Sequence, residues 1–323
     1  MLGRHVLLIA TFVAGSCSPL MAIEGPTAAG PIGGTDIRSA LLPPPGVYGG
    51  TMQLGAATME FLDGNRNIAQ GLEDAKLRKG VGGPFVYFVP DVKVLGGSVA
   101  VGATLPFGRI CGSLFAGQTD QCTTSMGDPY VEVDWARFFG TVRPSRYSGA
   151  YPILEGLSVL VGFGVVVPLG GFNSSSPLAQ ALSMGTNIWD VAPSVALTYT
   201  TRPIIADGTE LSAKFYWNSY LKNPETDYST GDVLDVDFAL TEHIGRFQVG
   251  VAGFYAWQIA DDKIGGGVVP PDGRQADVLQ IGGVAAYDMP EHNASLKIKA
   301  LTAVLASNTP TSWGVVCGWI KKL

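Results

Sequence analysis

Between Thr209 and Trp257 the chain alternates apolar and polar residues with a period of two. Over 211–218, Leu211, Ala213, Phe215 and Trp217 take the odd positions, with mostly polar residues between them. Over 233–241, Leu234, Val236, Phe238 and Leu240 share one face, and Asp235, Asp237 and Thr241 share the other. After a tight break at Glu242-His243-Ile244-Gly245, Phe247, Val249, Val251, Tyr255 and Trp257 alternate with Gln248, Gly250, Ala252 and Gln258. This period predicts neighbouring β-strands with one apolar and one polar face. A soluble sheet must cover the apolar face with a second layer. A closed barrel in a bilayer turns that face to lipid and the polar face to a lumen.

The rest of the chain extends the pattern. Strands are predicted near Val47–Phe61, Pro84–Val89, Val94–Pro106, Asp128–Phe138, Leu154–Leu169 and Ile188–Thr200, before the stretch just described. Three more follow at Ala276–Tyr287, Ala294–Leu305 and Ser312–Ile320. In the third, Leu95, Val99, Val101 and Leu105 are expected on one face; in the fourth, Glu132 and Asp134 oppose Val131, Val133 and Trp135. Short helices are expected at Gln70–Arg78 and Pro177–Met184. The sum is an all-β, antiparallel, up-and-down transmembrane β-barrel of about 12 strands. Connections alternate between mostly long and mostly short, which puts the short turns and both termini in the periplasm. Residues 23–45 have little periodicity and read as an irregular N-terminal segment, either a periplasmic extension or a lumen plug; residues 46–323 form the barrel.

Composition sharpens this picture. Apolar residues make up 46% of the 323 residues and charged ones only 15%, yet no run reaches the roughly 18 apolar residues of a membrane helix. The net charge of −6 argues against nucleic acid as a partner. Residues 1–22 read as a signal peptide: Arg4 and His5, an apolar core from Val6 to Ala14, and cleavage after Ala22. Ala14-Gly15-Ser16-Cys17 offers a rival lipoprotein reading, with Cys17 lipidated. Either route leads to the bacterial outer membrane, with outer-membrane lipid and the barrel-insertion machinery as partners. In that oxidising compartment Cys111 and Cys122 are placed to close a disulfide, whereas Cys317 is a small strand residue. No spacing suggests a metal site, and no cofactor is expected.

The candidate functional residues are those of the polar face. Glu132, Asp134, Asp190, Lys214, Asp235, Asp237, Gln248, Lys297 and Lys299 are expected to line the lumen. Their mixed signs predict cross-lumen pairing and weak ion selectivity. On the apolar face, Trp189, Trp217, Tyr255 and Trp257 are expected near the outer rim, and Tyr199 and Tyr287 near the inner one, as interface aromatics. An outer-membrane lipid-acting enzyme would need a nucleophile and a His at the outer lipid face. After the leader only His243 and His292 remain, both assigned to periplasmic turns, so the chain is not read as an enzyme. Asp261, Asp262 and Asp272 read as solvated loop carboxylates rather than a calcium site. A structural or adhesive barrel, worked by the long loop Leu62–Gly83, is the other alternative.

Several motifs carry a resemblance. Pro43-Pro44-Pro45-Gly46-Val47-Tyr48, Leu105-Pro106-Phe107-Gly108, Gly185-Thr186-Asn187-Ile188-Trp189-Asp190, Asp227-Tyr228-Ser229-Thr230-Gly231-Asp232 and Gln258-Ile259-Ala260-Asp261-Asp262 occur in this order. The chain from Pro43 to about Leu305 thereby resembles the outer-membrane family named for the meta-pathway of phenol degradation, the SphA-like transporters. The resemblance implies a passive outer-membrane channel or transporter for small hydrophobic or aromatic compounds. One departure stands at the C-terminus. Outer-membrane barrels usually end in an aromatic residue, and here Trp319 and Leu323 are a degenerate match, with Lys321 where an apolar residue is expected.

Overall fold

The computed structural model describes residues 32–323. The expected leader, Cys17 and residues 23–31 lie outside the described residues. The strands are β1 (Gly46–Phe61), β2 (Lys76–Val89), β3 in two pieces (Gly97–Thr104 and Phe107–Ser113) and β4 in two pieces (Gln121–Met126 and Tyr130–Arg143). Then come β5 (Ile153–Val166), β6 (Asp190–Thr200), β7 (Gly208–Tyr220), β8 (Val233–Ile244), β9 (Phe247–Gln258), β10 (Asp277–Met289), β11 (Ala294–Ser307) and β12 (Pro310–Lys322). Each pairs antiparallel with its sequence neighbour, and β12 pairs with β1 from Tyr48↔Lys322 to Phe61↔Pro310. The result is a closed antiparallel barrel of 12 strands. Closure leaves no free sheet edge around most of the wall.

The side chains are arranged inside out relative to a soluble protein. Leu211, Leu240 and Val251 keep 57%, 55% and 51% of their surface accessible on the outside of the barrel. Ser212, Asp237 and Gln248, one or three positions away, keep none. In water this would strand apolar surface and bury charge. In a bilayer it places apolar surface against lipid and satisfies the backbone within the wall.

Most long connections gather at one end of the barrel, the loop end, and most short ones at the other, the turn end; the turn at 308–309 is a short one at the loop end. The second strand begins at Lys76, so no helix forms over Gln70–Arg78. Leu77 instead turns into a small apolar core at the loop end with Phe61, Leu72, Ile110, Leu114 and Leu178. The five-residue helix α1 (Pro177–Ala181) caps this core, with Ser176 Oγ accepting from the Ala179 N–H. What reads in sequence as a loop between the third and fourth strands is largely a hairpin. Beyond the break at Leu105-Pro106, the upper pieces of β3 and β4 pair with each other, and Cys111 and Cys122, directly opposite, are joined. Leu95 lies in the turn after β2 with a left-handed backbone, not on a strand face.

Candidate functional site

The lumen is built by the inward positions of the strands and by residues 32–45. This segment lies inside the barrel, so of its two possible placements the described part takes the lumen. It has no periodic pattern because it forms no ladder; wall side chains bond to its backbone instead. The N–H groups of Gly33 and Thr35 donate to the Asp237 carboxylate at 2.7 and 2.6 Å, and Thr35 Oγ1 reaches the same group at 3.0 Å. The Arg38 N–H donates to Glu210 at 2.8 Å, the Ser39 N–H to Ser212 Oγ at 2.9 Å, and the Ala40 N–H to Thr198 Oγ1 at 3.1 Å.

Ion pairs complete the anchorage. Asp36 accepts from Lys297 at 3.2 Å and Lys299 at 2.5 Å. Lys299 also donates to the Gly33 carbonyl. The Arg38 guanidinium forms a two-pronged pair with Asp288, at 3.0 and 2.7 Å. Ala40 sits among Ala136, Leu160 and Ala196. Leu42 packs near Tyr48, Val89 and Ala100. From Pro45 at the turn end to Gly33 near mid-height, the segment is a plug tied to opposite sides of the wall.

The proposed lumen residues can now be placed. Asp134, Asp190, Lys214, Asp235, Asp237, Gln248 and Lys299 are buried inside the barrel, and Glu132 and Lys297 are half-buried there. Lys214 sits 3.4 Å from Glu132 and 3.9 Å from Asp134, while the hydroxyls of Tyr130 and Tyr87 donate to these two carboxylates. Gln248 donates to Thr241 Oγ1 at 2.8 Å. Trp189, Tyr199 and Trp217 are about half exposed on the outer surface. Tyr255 and Trp257 stack at 5.0 Å, Tyr287 lies 4.9 Å from Phe247, and Trp217 Nε1 donates to Asp232 at 2.9 Å.

Two assignments change. His243 belongs to β8 rather than a turn; it is buried at the turn end of the lumen with Nε2 3.0 Å from Glu210. That carboxylate already holds the plug, so the contact is part of the anchorage. Asp262 is not a solvated carboxylate. It is fully buried and takes hydrogen bonds from Tyr228, the Gly231 N–H and Gln258.

Loopward of the plug the lumen opens into a cavity of about 350 Å3. Ile32, Leu54, Phe254, Val278, Leu301 and Val316 give it apolar walls; Lys79, Asp277 and Lys299 supply its charge. Beside it the wall is incomplete. β11 and β12 pair only from Ala294↔Lys321 to Thr302↔Trp313, although both strands continue to the turn at 308–309. Above that level, residues 303–307 pair with β10 and residues 310–312 with β1. Register shifts at Leu279/Gln280 and Thr58/Glu60 flank this seam at the same height. Such bulges splay strands locally. Thr309, Pro310 and Ser312 line both seam and cavity, and Gln280 Nε2 reaches Ser312 Oγ at 3.0 Å.

Sequence reasoning missed Asp36, Arg38, Lys79, Glu210, Phe254 and Asp288. Glu210 and Asp288 were recoverable, because each continues the inward phase of its strand.

A closed barrel with an apolar belt and a polar, partly plugged lumen is an outer-membrane channel fold. Residues 61–317 match the model of the family described as "Putative MetA-pathway of phenol degradation", and the chain belongs to that family. The fold is similar to that of the COG4313 outer membrane channel from Pseudomonas putida F1: TM-score 0.71, 14% identity, covering 89% of this chain and 98% of that one. The transport unit of the autotransporter AIDA-I from Escherichia coli also matches, at TM-score 0.48 and 9% identity over 89% of this chain and 92% of that one. No curated protein matches the sequence.

Proposed function

We propose that this protein sits in the bacterial outer membrane and passes small hydrophobic compounds, aromatic ones in particular, from the cell exterior toward the lipid of that membrane. The observation that carries this reading is the apolar cavity at the loop end, which meets a seam in the wall. The plug fills the turn-end half of the lumen, so an aqueous pore is not the route best suited to an apolar solute. Such a solute gains by leaving water for the walls around Phe254 and Leu301, and a path between β11 and β12 keeps it out of water. Passage is passive and needs no cofactor. The family's description, which refers to phenol degradation, supports an aromatic cargo. The insertion machinery and outer-membrane lipid are its other partners.

The test is accumulation of a labelled monocyclic aromatic in cells carrying the protein against cells carrying an empty vector. Faster accumulation supports the reading. Equal accumulation with a folded, heat-modifiable barrel overturns it and favours a structural barrel working through its loops.

A further inference from the structure

The charges around the cavity do not cancel. Asp277 lies 3.7 Å from Arg66. Lys299 is consumed by Asp36 and the Gly33 carbonyl. Lys79 remains: it lines the cavity from β2, opposite Ala56 of β1, and among the described residues it has no hydrogen bond or ion pair. An ammonium withdrawn from bulk water with no counter-charge is costly, and an anion arriving beside it gains correspondingly. Neither an inorganic anion nor a neutral aromatic uses the whole site. The first leaves Phe254, Leu301 and Val316 uncovered, and the second leaves Lys79 unpaired.

We infer that the cavity is a binding site for an amphipathic organic anion, a one- or two-ring aromatic carboxylate, with the carboxylate at Lys79 Nζ and the ring against Phe254 and Leu301. About 150 Å3 of apolar space accommodates a benzene ring. The cavity of about 350 Å3 therefore holds one or two rings and the carboxylate with its water. Lys79 would then select among the aromatic solutes that the proposed function admits, and the inference rests on that reading.

The test is calorimetric binding of benzoate, benzyl alcohol and acetate to the full refolded chain in detergent, with Lys79→Met, Lys79→Arg and Phe254→Ala as variants and heat-modifiability as the folding control. Benzoate is expected to bind at least about tenfold more tightly than either benzyl alcohol, which lacks the charge, or acetate, which lacks the ring. Lys79→Met abolishes that preference without changing benzyl alcohol binding; Lys79→Arg keeps it; Phe254→Ala weakens both ring compounds. Equal binding of benzoate and benzyl alcohol, or an undiminished benzoate preference in Lys79→Met, overturns the anion site and leaves the aromatic-uptake reading standing. Absence of binding by either ring compound overturns both.

Discussion

Asp36 is the residue through which the plug is most exposed to perturbation. It is 1% accessible and receives two lysines, Lys297 and Lys299, from one strand of the wall. Asp36→Ala removes the carboxylate that, among the described residues, forms ion pairs with both lysines, and Lys299 is itself 3% accessible. Removing one partner of a buried ion pair costs about 3–5 kcal/mol, because the remaining charge stays desolvated. That penalty falls on the plugged state, since a displaced plug lets water reach both ammonium groups. At about 1.4 kcal/mol per decade, the released fraction should rise by a factor of about 100 to 4,000. The barrel ladders do not involve Asp36, so heat-modifiability should persist. Release is read by labelling Ala40→Cys, in a Cys317→Ser background, with a membrane-impermeant maleimide. Ala40 is 2% accessible in the plugged state, so its labelling rate follows the released fraction. Discrete ion-conducting steps should appear in planar bilayers at the same time. Adding Lys299→Met, which removes the more deeply buried ammonium, should recover part of the closed state. Unchanged labelling and conductance in Asp36→Ala would refute the assignment of these ion pairs as the plug's anchor.

Cys111→Ser with Cys122→Ser should leave the membrane barrel folded but make the upper β3–β4 hairpin protease-sensitive, since a cross-link over so short a loop is worth about 2–3 kcal/mol; limited proteolysis with and without reductant reads this. Leu240→Arg places a charge on the lipid face of β8 and should cost about 2–4 kcal/mol of folding free energy in a bilayer titration with urea, whereas Leu240→Ile should cost little. Asp207, in the connection before β7, gives a pH dependence. Burial pushes its carboxyl up, but hydrogen bonds from Ser145, Arg146 and Gly245, with the Arg143 charge, outweigh burial and hold it below the ordinary range. A folded-state value below the unfolded one contributes stability above roughly pH 4 that is lost as pH falls through the folded value. Asp207→Asn should therefore flatten the acid limb of the urea-stability profile as pH falls below about 4.

The membrane-spanning wall was legible in the sequence because lipid imposes a strict rule on it. Residues such as Leu211, Phe215 and Leu240 must face outward and Ser212, Lys214 and Asp237 inward, so the period survives in the composition. Toward the loop end of β2 the rule is masked. Lys76 to Gly83 carries charges and three glycines, and its strand is held by pairing with β1 and by Leu77 in the loop-end core, neither of which leaves an alternation to read. Lys79 was hidden for that reason. The plug was legible only as one of two placements, and its contacts were hidden for another reason: residues 33–40 are fixed by Asp237, Glu210, Ser212 and Thr198, which are distant in sequence and bond mainly to backbone. The seam is invisible in sequence because it is a missing ladder between strands whose own alternation is intact.

The central claim is that an apolar solute leaves the loop-end cavity through the seam between β11 and β12. Continuing their register places Ala303 opposite Ser312, just above the last paired residues. The variant Ala303→Cys with Ser312→Cys, in a Cys317→Ser background, can therefore be oxidised to close the seam and reduced to reopen it, with the Cys317→Ser parent as the control for the native disulfide. The measurement is uptake of labelled toluene by cells carrying this variant. The account predicts that uptake falls to the vector level on oxidation and returns on reduction, while the parent is unaffected. Uptake that continues undiminished through the cross-linked wall would contradict it.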